Sequence, residues 1–508
     1  MNNATLRTLL IYAVTLPLAV FIGWMVAGDL TRTSFAVLAA IVFVLMLPLL
    51  LKWHYPVMVF SWGTFITIFF LPGQPALWML MAVLNLGIAV LNRIIQKRRV
   101  FLPAPAITAT LLSLAAVVVI TAKLRGGVGL HALGASTYGG KPYFYILAGV
   151  MGYFAFASQA IPTERAKLYV GLFFLSSLMS AGSSLIYYAG EPFYFLFLVF
   201  PVSFAAVQAA AEYTGPISRV AGFGTAALSL SYYFFAINGI KGVLRKWWQV
   251  LLVFGVLGIG ALSGYRSNLV QFGIILAILF LVEGLLRSPL FPALLLVGIL
   301  AFTVLAIFSL SLPLSVQRSL SFLPIKIDPV VRVDAESSLR WRWEMWQMLV
   351  PDLPKYIWLG KGYALNPTDI YLTEQAMQRH RVPSYEGALL AGDYHSGPLS
   401  IYVPLGSFGL LAFMAFVTAS LRSLYLNYRY GTEELRTVNR FLFAYFCGRL
   451  IFFFVAFGAL AYDLYVFTGI MGLSVALNKG VVQQPAFQAR PVTFRGRLDV
   501  DGPQPRLA

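Results

Sequence analysis

The chain has 508 residues, 59% of them hydrophobic and 11% charged, against about 25% charged in a soluble domain. Its mean hydropathy is +0.79, so it is read as a polytopic membrane protein. The net charge of +18 does not point to nucleic acid, because cytoplasmic loops of membrane proteins collect Lys and Arg and no basic domain with interleaved aromatics is present. The lone cysteine, Cys447, excludes an intrachain disulfide.

A spanning helix needs about 20 mostly apolar residues, and the chain offers about fourteen such runs. The N-terminal group, 1–124, holds 7–27, 33–51, 56–72, 76–95 and 104–122. The first run is too long for a signal-peptide core and is followed at once by the second, so it reads as an uncleaved helix. The central group, 125–312, holds 143–160, 167–187, 219–239, 247–263, 267–286 and 290–312. The stretch 192–211 is also apolar but carries Pro192, Pro201 and Gln208. From 313 to 396 the long apolar runs give way to Arg, Asp, Glu and Trp. The last group, 397–478, holds 398–421, 441–459 and 461–478; the tail 479–508, rich in Pro, Gln and Arg, reads as disordered and cytoplasmic.

Basic residues in short loops set the orientation. The loops with Arg93, Lys97, Arg98 and Arg99, with Arg165 and Lys167, with Lys241, Arg245 and Lys246, and with Arg422, Arg429, Arg436 and Arg440 all belong in the cytoplasm. A cytoplasmic N-terminus satisfies every one of them only if 192–211 does not cross. That stretch is therefore expected to be re-entrant or interfacial, shielded by protein at membrane depth. The polar segment 313–396 then lies on the extracytoplasmic side.

Charges beside spans are expensive and mark function by default. Arg266, in Ser263-Gly264-Tyr265-Arg266-Ser267, and Arg219, in Arg219-Val220-Ala221-Gly222-Phe223-Gly224, both stand at outer helix ends. Each suits a snorkelling contact with lipid phosphate or, since a guanidinium presents planar donors and keeps its charge, a bound pyrophosphate. His395 closes the polar segment just before a span, where a neutral imidazole can take a proton from a hydroxyl or simply hold a structural hydrogen bond. Asp393 is placed to orient it. His380, between Arg379 and Arg381, is the weaker candidate, and His54 and His131 carry no signal. In Ser338-Leu339-Arg340-Trp341-Arg342-Trp343-Glu344-Met345-Trp346, helical spacing puts Arg342 and Trp346 on one face. This helix reads either as amphipathic and interfacial or as a sugar platform or second phosphate site. No metal-ligand spacing and no phosphate-cradling glycine loop occurs, so neither a metal nor another cofactor is expected.

In their order these pieces resemble the O-antigen ligase and polymerase superfamily of bacterial polytopic glycosyltransferases. Arg219 to Gly224 resembles its Arg-x-x-Gly opening of a span, and Ser263 to Ser267 its Ser-x-Ser-Arg-x stretch, with Tyr265 replacing the usual small residue. Ser338 to Trp346 resembles its Arg-x-x-x-Trp helix, and Trp358-Leu359-Gly360-Lys361-Gly362 its Leu-x-Gly-x-Gly. Tyr394-His395-Ser396 through Leu405-Gly406-Ser407-Phe408-Gly409-Leu410 resembles its His-Asn-x-x-Leu and Gly-x-x-Gly-Leu ending, with Ser396 in place of Asn.

The resemblance implies an all-α, GT-C-like membrane bundle in the bacterial inner membrane. It also implies metal-independent, inverting transfer of a glycan from an undecaprenyl-pyrophosphate carrier to a glycan or lipid acceptor. In that reading Arg219 and Arg266 grip the pyrophosphate, His395 activates the acceptor hydroxyl, and Arg340, Arg342 and Asp393 support them. Ligase and polymerase differ only in the acceptor. A transporter of lipid-linked glycan would instead carry mid-helix charges and repeated halves; no repeat is visible, and charges are read at helix ends. A structural partner in a polysaccharide-assembly complex is a further alternative.

Overall fold

The computed structural model describes residues 51–69, 71, 73–95, 101–128, 140–365, 367–378 and 385–483, with scattered positions before them. More than half of the expected span 7–27, nearly all of 33–51, His131, His380 and the tail from 484 onward lie outside the described residues. Among the described residues every named element is helical, and the one strand-like feature is an isolated antiparallel bridge between Thr67 and Ala76.

After a helical stretch at 51–61 come α1 (Leu77–Ile95), α2 (Pro105–Arg125) and α3 (Lys141–Ala157). Next are α4 (Ala166–Leu175), α5 (Ser180–Ala189), α6 (Val202–Thr214) and α7 (Ala221–Leu244), then α8 (Trp247–Ala261), α9 (Arg266–Val282) and α10 (Leu290–Phe308). The polar segment folds into α11 (Leu314–Ser319), α12 (Pro329–Leu349), α13 (Pro367–Gln378) and α14 (Tyr385–Ala391). The chain closes with α15 (Gly397–Tyr430), α16 (Arg436–Val455) and α17 (Leu460–Leu477).

Among the described residues seven helical segments are long and apolar enough to cross a membrane, and α8 and α9 are shorter apolar helices. The bundle is thus that of a membrane protein, but these helices do not establish about fourteen crossings. Several apolar runs are interrupted by caps and kinks. The run at 219–239 becomes α7, kinked at Gly239. The stretch at 192–211 becomes a 3-10 piece, Glu191–Leu198, and α6, broken at Pro201. At 1.5 Å per residue a helix the length of α6 covers only about 20 Å of a hydrocarbon core about 30 Å thick.

The core is built around α17, which packs on α3 while α15 packs on α2 and α16 on α9. A helix apolar on all sides is buried on all sides or faces lipid. α17 takes the first course, with residues such as Phe467, Met471 and Val475 buried. α10 takes the second, with none of its residues buried by protein.

The polar segment is pinned to this bundle through a helix defect. Pro404 and the left-handed Gly406 (φ 69°) interrupt α15, freeing backbone groups that a regular helix would use internally. Residues 357–362 run along the defect and take them up. Lys361 N donates to Val403 O (2.7 Å), Gly362 N to Pro404 O (2.9 Å), and Ser407 N to Ile357 O (3.0 Å). The approach is so close that a Cβ on Gly360 would lie 2.1 Å from Pro404 C. On the other flank Arg125, at the end of α2, donates to Gly360 O (2.8 Å), and Tyr143 Oη accepts from Tyr363 N (2.9 Å). The N-terminal helices, to which the sequence assigns no role, thereby hold the polar segment in place.

Candidate active site

Arg219 and Arg266 are drawn together by the turn between α8 and α9. Val220 N donates to Leu262 O (3.0 Å), fixing the start of α7 on that turn. Gly264, at φ +70°, lets the Arg219 side chain lie across it; a Cβ there would be 3.1 Å from Arg219 Cγ. Without a Cβ, glycine adopts this conformation at no steric cost.

The α12 helix closes over this turn. Arg219 Nη2 donates to Asp334 Oδ1 (3.2 Å) and Arg266 Nη2 to Ala335 O (3.3 Å). Arg318, from α11, bonds both Asp334 Oδ2 and the carbonyl of Gly264. Ser319 Oγ anchors that helix on Ala261 O (2.7 Å). Arg318 also stands within electrostatic reach of Arg219, Arg266 and Arg342. Asp334 is the carboxylate ion-paired within this group. The result is a cluster of guanidinium groups with less negative charge than positive, and Arg219 Nε is buried without a partner among the described residues.

Arg342 links the cluster to His395. Its Nη1 lies 3.5 Å from Ala456 O, and its guanidinium stands 5.7 Å from the Phe457 ring centroid. The His395 ring meets the same Phe457 ring and that of Trp341 edge-on, each with centroids 5.1 Å apart. Trp346 Nε1, one turn beyond Arg342, donates to Tyr394 O (2.8 Å) and so clips α12 to the residue before His395. Burial lowers the Arg342 pKa, with the charge of Arg318 adding and that of Asp393 opposing.

His395 sits at φ +49°, a conformation uncommon outside glycine and clustered at functional sites. Its Nδ1 is 3.2 Å from Asp393 Oδ1. Burial pushes the Asp393 pKa up, but the hydrogen bond and charge of His395 outweigh it, leaving the carboxyl below its usual range. With Nδ1–H given to that carboxylate, Nε2 carries the lone pair that can accept a proton.

Of the expected site residues, the structure therefore brings Arg219, Arg266, Arg342, Asp393 and His395 to one end of the bundle. Arg340 does not join them. Two residues before Arg342 it points about 200° away around the helix, and it is exposed. Arg318 and Asp334 are part of the arrangement and were not singled out from the sequence. Among the described residues no group of three or more His, Cys, Asp or Glu side chains is placed to hold a metal ion.

A second charge arrangement departs from the reading of charges only at helix ends. Arg449 lies well inside α16, where its Nη2 pairs with Asp463 Oδ1 (2.6 Å) and its Nη1 with Gln271 Oε1 (2.7 Å). Asp463 Oδ2 accepts from Ala459 N (2.9 Å) and so holds the turn that carries Ala456 and Phe457. Arg449 and Tyr462 line a cavity of about 220 Å3; Tyr462 also lines an aromatic cavity of about 930 Å3 bounded by Trp62, Trp78, Tyr145 and Tyr194.

Fold and site together define a helical membrane protein that gathers guanidinium groups beside a histidine at one end of its bundle. Residues 250–414 match the protein family described as O-Antigen ligase. This segment contains Arg266, Arg318, Asp334, Arg342, Asp393 and His395, whereas Arg219 precedes it. The match supports the O-antigen ligase and polymerase superfamily, which implies a ligase- or polymerase-type membrane enzyme acting on lipid-linked glycans. No curated protein matches the chain.

Proposed function

We propose that the protein transfers a glycan from an undecaprenyl-pyrophosphate carrier to an acceptor hydroxyl at the outer face of the bacterial inner membrane, in the manner of an O-antigen ligase. The observation that carries this reading is the excess of guanidinium over carboxylate around Asp334, set beside His395 through Arg342 and Phe457. Arg219, Arg266 and Arg318 hold the pyrophosphate. Their donors match its oxygens, and their charge stabilises the leaving group as the bond between sugar C1 and phosphate oxygen breaks. His395 Nε2 takes the acceptor proton as the hydroxyl oxygen bonds to C1, while Asp393 orients the ring and stabilises the imidazolium. Attack from the face opposite the departing pyrophosphate inverts the anomeric centre. The polar segment 313–396 is extracytoplasmic in this reading, and the stretch at 192–211 re-enters from that side.

The test is complementation of cells lacking the gene with His395→Ala and Arg266→Ala, reading surface polysaccharide and the membrane level of each variant. Loss of the glycan with normal protein level is expected for both. Wild-type glycan in both would sink the proposal. The transporter alternative would draw on Arg449 and Asp463, but these charges satisfy one another and brace the turn bearing Phe457. Transfer by purified protein in the absence of any gradient separates the two.

A further inference from the structure

A second cationic site adjoins the first without sharing a residue with the arginine cluster. It is a cavity of about 190 Å3 whose lining includes Lys141, Lys361, Tyr363, Gly392, Tyr394 and Tyr462. Gly392 and Tyr394 flank Asp393, so one wall of the cavity is the turn that carries His395. Neither lysine makes an ion pair among the described residues. No described lining residue is acidic. Lys141 rests at 5.9 Å from the Tyr145 ring centroid. Lys361 belongs to the segment locked on the α15 kink, so its backbone is held in place. Burial lowers the Lys361 pKa, because desolvation penalises the charged ammonium.

Two part-buried ammonium groups in one cavity whose described lining residues include no carboxylate make a site for an anion. Lys141 and Tyr462 also line the larger aromatic cavity, whose flat walls suit the apolar faces of sugar rings. We infer that the lysine cavity is a subsite for an oxyanion, a carboxylate or phosphate, carried by the acceptor saccharide. The inference rests on the glycan-transfer reading and adds the acceptor's chemical class to it. The donor's pyrophosphate goes to the arginines and the acceptor's negative charge to the lysines, with His395 between the two sets in the chain of contacts.

The experiment uses the full chain in phosphatidylcholine nanodiscs and two fluorescent oligosaccharides that differ only in one glucuronate in place of one glucose. Binding is read by anisotropy. The glucuronate probe is expected to bind about tenfold more tightly, the scale of one charge-assisted hydrogen bond. Lys361→Gln and Lys141→Gln should each remove most of that preference, and Arg266→Gln should preserve it. Equal or undetectable binding of the two probes to the wild-type protein overturns the inference without recourse to any variant. Loss of the preference in Arg266→Gln assigns the anion to the arginines and also overturns it. So does loss of the preference when phosphatidylglycerol enters the nanodisc, because the cavity then holds a lipid headgroup. If the probes bind equally while His395→Ala still abolishes surface glycan, the subsite falls alone; if His395→Ala leaves the glycan intact, the enzyme reading falls.

Discussion

Arg449 and the arginines gathered around Asp334 differ in their partners. Arg449 meets Asp463 one to one, adds Gln271, and through Asp463 holds the turn of Ala456 and Phe457. Arg219 and Arg318 share Asp334, while among the described residues Arg266 and Arg342 have only backbone carbonyls as hydrogen-bond acceptors. Each arrangement has an arginine whose Nε is buried without a partner among the described residues, so what separates them is the supply of carboxylate. A guanidinium neutralised within the fold braces it. A guanidinium left in excess is stable only if an anion or water completes it. The matched pair therefore reads as framework and the unmatched cluster as a binding surface, even though both lie among the same helices.

The largest effects should fall on the unmatched side and appear in activity. His395→Ala should lower glycan transfer by about 10²–10⁴-fold, the usual contribution of a positioned base, with little change in thermal stability. Arg266→Ala should lower it by about 10²–10³-fold, the scale of removing one donor to a developing oxyanion. On the matched side the effect should be on stability. Asp463→Ala strands the Arg449 charge and should destabilise the protein by about 3 kcal/mol, read by thermal unfolding in detergent. Replacing both partners with leucine should recover most of that loss. Asp334→Ala makes the sharpest contrast: exposed enough to be hydrated, it should cost less than about 1 kcal/mol. If Asp334→Ala and Asp463→Ala destabilise equally, the two clusters do not differ in kind.

The backbone that shapes the cluster gives a smaller effect. At Gly264 an alanine would adopt a left-handed φ and press on Arg219 Cγ. Gly264→Ala should cost about 1 kcal/mol in stability. It should also weaken donor use, measured as a raised KM for the lipid-linked glycan.

What was legible in the sequence follows from the range of each signal. Apolar runs report helices because burial and lipid act on every residue of a run. Arg219 and Arg266 could be found because each is a charge against an apolar span, and His395 because it stands where the polar segment ends. Arg318 and Asp334 could not: inside a polar segment such residues are ordinary. Their value lies in contacts across 54 and 115 residues of sequence, to Gly264 O and Arg219. Arg449 did carry a signal, an arginine within Phe446-Cys447-Gly448-Arg449-Leu450-Ile451, that the reading of charges at helix ends passed over. Pro404 and Gly406 announce a helix defect, but the residues 357–362 that complete it are fixed by the fold. The count of about fourteen spans is not established by the described helices, and hydropathy alone does not register the kinks and 3-10 turns that interrupt an apolar run.

The smallest expected effect separates neighbours on one helix. Arg340 and Arg342 are both arginines of the same motif-like stretch, and the resemblance offers both as helpers. Arg342 is part-buried, packed on Phe457 and within reach of Arg318 and Asp393; Arg340 is exposed and about 200° away around α12. A surface charge at that distance from the site acts only through screened electrostatics, which fade beyond about 8 Å at physiological salt. Arg340→Ala should therefore change glycan transfer by less than about threefold, within the range of exposed charge pairs. Arg342→Ala should cost about tenfold or more, because it removes both a cation and a wall of the His395 site. Side-by-side transfer rates for the two variants at matched protein levels decide the point. Equal losses would mean that the face of α12, and with it the link between the arginine cluster and His395, is wrongly assigned.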